Sequence, residues 1–420
     1  MDERLLHFIW QHSFFNFSQL KSEEGEHLEI IHPGFYNNNQ GPDFLEAKIK
    51  VDDTLLVGSV EIHVKSSDWN THKHSADNRY NNVILHVVWE NDVHIQRNFS
   101  TLCLHNRTSK LLLSKYRDLM EIKSFVFCED NLPVLSKLSW LQWKERLAVE
   151  RLERRATEII TLFENNRQHW EETFWQLLTK NFGIKVNADV FFELSKLISI
   201  NVLAKHKHQI HQLEAVLLGS AKLLPENTED DYVQILKREY NVLQKKFSLK
   251  TVESAPLFLR MRPANFPTIR LAQLAMLVHR SSHLFSKIKE AENIEEIKNM
   301  LKITANDYWH YHYVPGDEGS DYFPKTLGKT MIENIIINTI VPVVFAYGHY
   351  HQQQMYKDKA LDWLQKIKPE NNTIIRQWKS LGIEYTNALE SQALIELKNN
   401  YCDEKKCLDC TVGKQLLAQK

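Results

Sequence analysis

The chain has 420 residues, of which 43% are hydrophobic and 10% aromatic, so it can fill two or three packed domains and is not disordered. Lys plus Arg number 52 and Asp plus Glu number 53, which gives a formal net charge of −1. Net charge therefore does not indicate a nucleic-acid partner, which would need a local basic patch. Five cysteines give no even disulfide framework and favour a cytoplasmic location.

The first third of the chain is predicted to contain one helix and a small sheet. Apolar residues recur at helical spacing over residues 3–20. Apolar segments separated by Pro, Gly and Asn follow, and strands are predicted at residues 28–32, 45–51, 55–65 and 83–89, with 93–96 as a further candidate. The segment 83–89 is nearly all apolar, as expected of a strand covered on both faces.

After residue 132 the pattern becomes helical. Helices are predicted over residues 140–164, 170–182, 189–205, 211–224, 231–247, 269–289, 294–301, 331–345, 357–365, 374–380 and 386–399. The stretch 335–347 is too short to span a bilayer, so we predict a buried core helix there and no membrane span. The charged N-terminus shows no targeting signal. We therefore predict a small α/β domain, residues 1–132, and a large all-helical domain, residues 133–420, that ends in a cysteine knuckle.

One predicted strand carries polar side chains that indicate metal chemistry. Glu61, His63 and Lys65 alternate with aliphatic residues and so share one face, spaced roughly 6–7 Å apart. Asp43 begins the preceding strand, and its carboxylate is expected to converge with that of Glu61 on one Mg²⁺ or Mn²⁺ ion. A basic side chain beside the ion would orient or activate water. The alternative is that the three residues are the solvated face of an ordinary strand.

The order of these elements resembles the restriction-endonuclease-like superfamily, called PD-(D/E)xK. The shared features are a helix, a strand, Pro-Asp, a strand with Glu-x-basic, then a helix and a strand. The resemblance implies a restriction-endonuclease-like α/β domain in which Asp43 and Glu61 bind metal and a lysine two residues after the glutamate contacts water and phosphate. His63 stands at that position here. Either His63 replaces the lysine, Lys65 reaches back, or the site is degenerate.

A second polar cluster follows the strand. His72 and His74 could contribute to a transition-metal site. The chain has 20 histidines, which makes such a pair unsurprising, so the interpretation without a metal is favoured. His86 lies within the predicted strand 83–89 and is expected to be a hydrogen-bonded core histidine rather than a ligand.

Three cysteines lie within nine positions near the C-terminus. Thiolates at the spacing of Cys402, Cys407 and Cys410 can bind one soft metal centre, either structural zinc or an iron–sulfur cluster. Both usually need four ligands, and Cys128 is the candidate for the fourth, with Cys103 or a histidine as alternatives. The competing interpretation is free buried thiols packed as small hydrophobes.

Three arginines flank two prolines and an aromatic residue just before a predicted helix. Arg260, Arg262 and Arg270 could bind phosphates, assisted by the positive end of that helix. The slightly favoured alternative is an arginine network that holds an irregular loop between helices.

The chain also resembles a bacterial family known only as a domain of unknown function, at residues 41–44, 60–64, 262–267, 338–342 and 402–410. That resemblance implies a bacterial cytoplasmic protein and assigns no activity. Our leading hypothesis is a metal-dependent nuclease, or a nuclease-derived protein, that acts on the phosphodiesters of DNA. The alternatives are a catalytically inactive nucleic-acid-binding or protein-interaction scaffold and a helical interaction protein without metal.

Overall fold

The computed structural model describes residues 1–37, 40–72, 74–121, 124–132, 135–259, 261–281, 283–317 and 319–418. The chain folds as two units. The first contains Met1–Trp140 together with Ser380–Ile383 and Leu397–Lys420, and the second contains Leu141–Lys379 with Glu384–Glu396. The C-terminal cysteine segment therefore groups with the first unit. The predicted boundary at residue 132 stays a prediction.

A six-stranded mixed sheet forms the centre of the first unit. Its strands are β1 (Leu28–His32), β2 (Phe35–Tyr36), β3 (Phe44–Val51), β4 (Thr54–Lys65), β5 (Val83–Glu90) and β6 (Ser100–Cys103). The order is β1-β3-β4-β5-β6, and β2 pairs with β3. Pairing is antiparallel among β1 to β4, whereas β4–β5 and β5–β6 are parallel.

Helix α1 (Glu3–Gln11) packs against β4, and the short helix α2 (Asp68–Thr71) lies in the crossover from β4 to β5. Parallel neighbours need such a crossover, and it covers one face of the sheet. Residues 58–63 of β4 are consequently all buried. The alternative in which Glu61 and His63 belong to a solvated strand face is therefore wrong, because these residues are only 4% and 1% exposed.

Three N-terminal predictions need correction. The predicted helix 3–20 ends at Gln11, because Ser13 adopts a left-handed backbone (φ 57°) that stops the helix while the apolar pattern continues. The candidate strand 93–96 is not a strand, and Ile95 packs instead in a cluster with Trp69. The short strand β6 and helix α3 (Lys110–Glu121) were not predicted.

The second unit is helical. Its helices are α4 (Lys137–Asn165), α5 (Trp170–Phe182), α6 (Ile184–Leu197), α7 (Ile200–Lys205), α8 (Ile210–Ser220), α9 (Asp231–Phe247), α10 (Pro267–Arg280), α11 (Leu284–Glu290), α12 (Ile294–Met300), α13 (Lys329–Ile335), α14 (Val341–Tyr350), α15 (Gln354–Lys366), α16 (Thr373–Ser380) and α17 (Ala388–Leu397). The mixed N-terminal region and the large helical region are thus as predicted. The predicted helices 189–205 and 269–289 are each two helices, because extended residues interrupt them.

Helices α13 and α14 join through a π-helical turn, Ile336–Ile340, into one continuous helix. That helix, Lys329–Tyr350, has 22 residues, and its most apolar window of 18 residues has a mean hydropathy of 1.5. By length and composition it could therefore cross a membrane. The predicted segment 335–347 was therefore too short. In the structure, 72% of that window is buried within the protein, as expected of the core helix that the sequence predicts.

Candidate functional site

The two predicted metal-binding acids, Asp43 and Glu61, are linked by hydrogen bonds from backbone N–H groups to their carboxylates. Asp43 precedes β3 and Glu61 lies in the adjacent β4. The Asp43 N–H donates to Oε2 of Glu61 at 3.1 Å, and the Ile62 N–H donates to Oδ2 of Asp43 at 2.9 Å. The hairpin thus brings both carboxylates to one place in the sheet, as the sequence analysis expected. The Asp43 side chain is 21% exposed and forms the more accessible side of the pair.

A cluster of imidazoles lies against Glu61. The Nε2 atom of His63 is 3.5 Å from Oε1 of Glu61 and 3.3 Å from Nε2 of His74. Nε2 of His74 is itself 3.2 Å from the same glutamate oxygen. Nδ1 of His72 is 3.1 Å from Nε2 of His63. The Glu61 oxygen and the Nε2 atoms of His63 and His74 therefore form a close triangle, and His72 joins it through His63.

The mutual spacing of the Glu61, His63 and His74 atoms is that of ligands around one small ion. Atoms bound at about 2.0 to 2.1 Å to a tetrahedral metal lie about 3.3 Å from one another. Their three separations run from 3.2 to 3.5 Å. The ligand atoms of His63, His72 and His74 also lie within 4.8 Å of one another. Imidazole suits Zn²⁺, Fe²⁺ and similar ions, whereas Mg²⁺ prefers oxygen, so this donor set fits a zinc-like ion better than Mg²⁺.

His86 orients the cluster from behind. Its Nε2 atom is 2.8 Å from Nδ1 of His63, and β4–β5 register places it opposite Glu61. If His63 ligates through Nε2, its Nδ1 carries the proton and donates to His86. His86 is fully buried, and its own Nδ1 has no hydrogen-bond partner among the described residues. The expectation of a hydrogen-bonded core histidine thus agrees with the geometry, and the hydrogen bond is to a candidate ligand.

Aromatic side chains from the β4–β5 crossover enclose the imidazoles. Tyr80 stacks on His74 with ring centroids 3.9 Å apart, and Trp69 lies edge-on to His74 and to His86, at 5.3 Å from each. Trp69 is 2% exposed and donates through its indole N–H to Ser75. The crossover is therefore packed onto the cluster, which holds its histidines in place.

Burial works against charge on Glu61, His63, His74 and His86. Desolvation and then the charge of Asp43 raise the pKa of Glu61 far above its ordinary range. Desolvation and then the neighbouring imidazoles lower the pKa of His63 to about 2, and desolvation lowers that of His86 to about 3 and also lowers the pKa of His74. The imidazoles of His63 and His86 are therefore neutral, the form that ligates metal. A bound cation would also offset the cost of ionising Glu61.

Helix α1 contributes a further histidine to the acids. Nε2 of His7 lies 3.3 Å from Oδ2 of Asp43 and 4.0 Å from Glu3, one turn earlier in the helix. Burial raises the pKa of Glu3. Helix α1 therefore places the imidazole of His7 and the carboxyl group of Glu3 on the side of the site where Asp43 is partly exposed.

Lys65 does not join this cluster in the described contacts. It lies at the exposed end of β4, where its backbone N–H donates to Asp68. The proposal that its ammonium reaches the metal site stays a prediction.

The predicted phosphate-binding arginines belong to the second unit. Arg260 lies outside the described residues. Arg262 is exposed, and Arg270 is 6% exposed and donates to the side chains of Gln273 at 2.9 Å and Asn265 at 2.5 Å. Arg270 therefore stabilises the loop before α10. This agrees with the alternative prediction, in which the arginines hold an irregular loop between helices. Desolvation lowers the pKa of Arg270 to about 10.

The histidines of the site are harder to predict from the sequence than its acids. For His72 and His74 the pattern favours the interpretation without a metal, and His7 is not among the predicted site residues. One feature of the sequence does point to them. His72 and His74 are separated by one residue in the long crossover between β4 and β5, directly after the strand that carries His63. A crossover in a parallel pair must pass over the strand it leaves, so it can return side chains to that strand.

Comparison with known proteins identifies a family and no function. Residues 3–373 match the family described as a protein of unknown function, DUF2851. The searches of curated proteins and of solved structures found no match. Because the family match extends over most of the chain, this protein belongs to the DUF2851 family.

Proposed function

We propose that the protein is a metal-dependent nuclease that hydrolyses phosphodiesters of DNA, and that its N-terminal unit is a restriction-endonuclease-like PD-(D/E)xK domain. The order of α1, the antiparallel hairpin β3–β4 and the parallel strand β5 supports this proposal, as does the position of the two acids on that hairpin. The single observation that carries it is the convergence of Glu61, His63 and His74 at ligand spacing, with His72 beside His63 and Asp43 beside Glu61.

The donor set decides which ion we propose. Mg²⁺ or Mn²⁺ at Asp43 and Glu61 alone would match the sequence prediction. The three imidazoles favour Zn²⁺ or another first-row transition ion, held by Glu61 and the histidines with Asp43 at the open side. Such an ion supplies Lewis-acid polarisation of the phosphoryl group and a more acidic water.

The protein's own groups then have distinct roles. His86 accepts a hydrogen bond from the protonated Nδ1 of His63, which leaves Nε2 of His63 without a proton and able to bind the metal. Asp43 is anchored by the Ile62 N–H, and its partial exposure leaves it able to orient a water. His7 adjoins Asp43 and can accept or return a proton there. Lys65, at the exposed end of β4, is our candidate for phosphate contact in DNA.

One observation favours a second function. If Glu61, His63, His72 and His74 all bound one ion, four protein ligands would complete a tetrahedral shell, as in structural zinc sites, whereas catalytic sites keep one position open. Glu61 and His63 are also almost fully buried. If all four ligands remain bound, the ion holds the fold together, and the protein is a catalytically inactive nucleic-acid-binding or protein-interaction scaffold. Exposed His72 is the ligand whose release would open the shell.

The test combines metal content with cleavage. We expect the purified protein, stripped and reloaded with Zn²⁺ or Mn²⁺, to bind one ion more than the variants Glu61→Gln and His74→Ala do. Exposed His94, in the same unit, provides the matched control His94→Ala, which should bind metal normally. Metal-dependent cleavage of single- or double-stranded DNA that disappears in Asp43→Asn supports the nuclease.

Each contrary outcome has a defined meaning. Metal binding with no cleavage of DNA or RNA refutes the nuclease and supports the scaffold. Cleavage that needs Mg²⁺ and survives His74→Ala refutes the histidine site and returns the metal to the two acids alone. A His63→Lys variant sharpens this distinction, because lysine suits the PD-(D/E)xK pattern and cannot replace imidazole as a zinc ligand.

We also infer a cytoplasmic location. All five cysteines are free in the structure, as expected in a reducing compartment. Cell fractionation would refute this inference by finding the protein outside the cytoplasmic fraction.

A further inference from the structure

Four of the five cysteines lie on two segments that the first unit brings together. Cys128 lies in the loop between α3 and α4. Cys402 ends a π-helical turn, Lys398–Cys402, and Cys407 and Cys410 follow it before the last helix, α18 (Thr411–Ala418). The Cys128 thiol interacts electrostatically with those of Cys410 and Cys407, and the Cys402 thiol interacts with all three others. Residues 274 or more positions apart in the chain are thus neighbours.

The two segments are held together by contacts besides the thiols. The ammonium of Lys398 lies 5.2 Å from the ring centroid of Phe125, and that of Lys405 lies 5.5 Å from the ring of Phe127. Both rings belong to the loop that carries Cys128, and both lysines flank Cys402. Cation–π pairs of this kind stabilise by about 0.5–1 kcal/mol at exposed sites, which is modest for joining two irregular segments.

The backbone approaches the sulfurs closely in the loop around Cys407 and Cys410. The backbone N–H groups of Val412 and Gly413 adjoin the Cys410 sulfur. A Cβ on Gly413 would lie 2.1 Å from the carbonyl oxygen of Cys407, so only glycine permits this close approach. Backbone N–H donors to sulfur are a means by which proteins stabilise thiolates bound to metal.

The thiols are far more buried than free surface cysteines. Cys410 is 7% exposed and the others are partly buried. Buried thiols on neighbouring segments are suited to a soft metal ion, which binds them as thiolates. The lysines at 398, 405 and 414 add positive charge around the group.

We propose that Cys128, Cys402, Cys407 and Cys410 bind one soft metal centre through four thiolates, a zinc ion or an iron–sulfur cluster, which ties the C-terminal segment to the loop between α3 and α4. This centre is separate from the histidine site, and it does not depend on the proposed nuclease activity. None of the four cysteines belongs to the site around Glu61, and the role we propose for the centre is to join two segments that are far apart in the chain. The remaining cysteine, Cys103, lies in β6, where its thiol donates to the carbonyl of Trp89.

The two forms of the centre differ in sulfur spacing. Four sulfurs at about 2.3 Å from one tetrahedral zinc are about 3.8 Å apart, whereas a cluster of several irons spreads its ligands more widely. Among the described residues, the ligand group that lies within 4.8 Å is made of histidines and not of these cysteines. The experiment therefore needs one assay for each metal.

The protein is purified without oxygen, and its zinc, iron and sulfide are measured together with its visible absorption. Zinc that is lost in Cys128→Ser and Cys402→Ser supports the proposal, as does iron with sulfide and a visible absorption band that both variants lose. Cys103→Ser is the matched control and should keep the metal. Measuring the same metals in His74→Ala separates this centre from the histidine site, since that variant should retain the cysteine-bound metal.

Two results would overturn the proposal. One is a wild-type protein that contains neither metal and gains neither on anaerobic reconstitution with Zn²⁺ or with iron and sulfide. The other is full metal retention in both Cys→Ser variants. If Cys128→Ser does not fold, Cys407→Ser provides the same comparison, and limited proteolysis of the folded variant should show faster cleavage of the C-terminal segment.

Discussion

Glu214 offers a prediction whose magnitude follows from the structure. This residue of α8 is fully buried in the second unit. One carboxylate oxygen accepts a hydrogen bond from the Trp309 indole at 3.0 Å, and the other accepts one from the Tyr232 hydroxyl. Tyr232 in turn accepts from the Asn306 amide at 2.8 Å. These are neutral donors without a counter-ion, so they only partly offset the cost of burying the charge.

Desolvation raises the pKa of Glu214 from 4.5 to about 7. A tenfold change in proton affinity corresponds to about 1.4 kcal/mol, so this rise corresponds to roughly 3 kcal/mol. The folded state keeps the proton at pH values where the unfolded chain has released it. Stability from the protonated carboxyl is therefore complete below pH 4.5 and is lost as the pH rises through about 7.

The perturbation is Glu214→Gln, which keeps the shape and cannot ionise. We expect the stability of the wild type relative to this variant to fall by about 2.5 kcal/mol between pH 5 and pH 8. Urea unfolding of both proteins at several pH values measures this difference, and other titrating groups cancel in it. Exposed Glu229 supplies the control Glu229→Gln. A difference between wild type and Glu214→Gln that stays constant from pH 5 to pH 8 would refute the reasoning.

Three further predictions concern the second unit, each measured by urea unfolding. Lys144→Met should lower the free energy of unfolding by about 3 kcal/mol. The Lys144 ammonium lies 2.7 Å from the Glu390 carboxylate, which the variant leaves buried without its cation. A loss of stability below about 1 kcal/mol would contradict this. Gly219→Ala should destabilise by about 1–3 kcal/mol although alanine favours helices, since its Cβ would lie 2.4 Å from the Tyr240 ring; a stabilised variant would show that the ring can move. Asp230→Ala should cost about 1 kcal/mol by removing the N-cap of α9, and an unchanged midpoint would argue against it.

The regular elements of the chain are largely predictable from local pattern. Helices α5 and α9 have the bounds that apolar periodicity predicts, and β4 and β5 differ by one residue at an end. The errors occur where an apolar run continues through a change of backbone direction. Ser13 stops α1 with a positive φ, and Ser281 separates α10 from α11, although the hydrophobic residues on both sides keep their spacing.

The candidate site was only half predictable, for a different reason. Asp43 and Glu61 lie on consecutive strands of one hairpin, so local pairing already places them together. His74 and His86 reach His63 only after the crossover has returned the chain and β5 has paired parallel to β4. Nothing in the spacing of these histidines distinguishes them from the other members of a set of 20.

The sequence by itself determined the elements, the pair of acids and the cysteine spacing, because these depend on residues near one another in the chain. Only the tertiary structure decided that Glu61, His63 and His74 come together, and that the loop of Cys128 lies against the C-terminal cysteine segment. It also decided that Glu61 and His63 are buried rather than solvated. Side-chain periodicity defines the faces of a strand, but the strands and helices that pack on those faces come from distant parts of the chain.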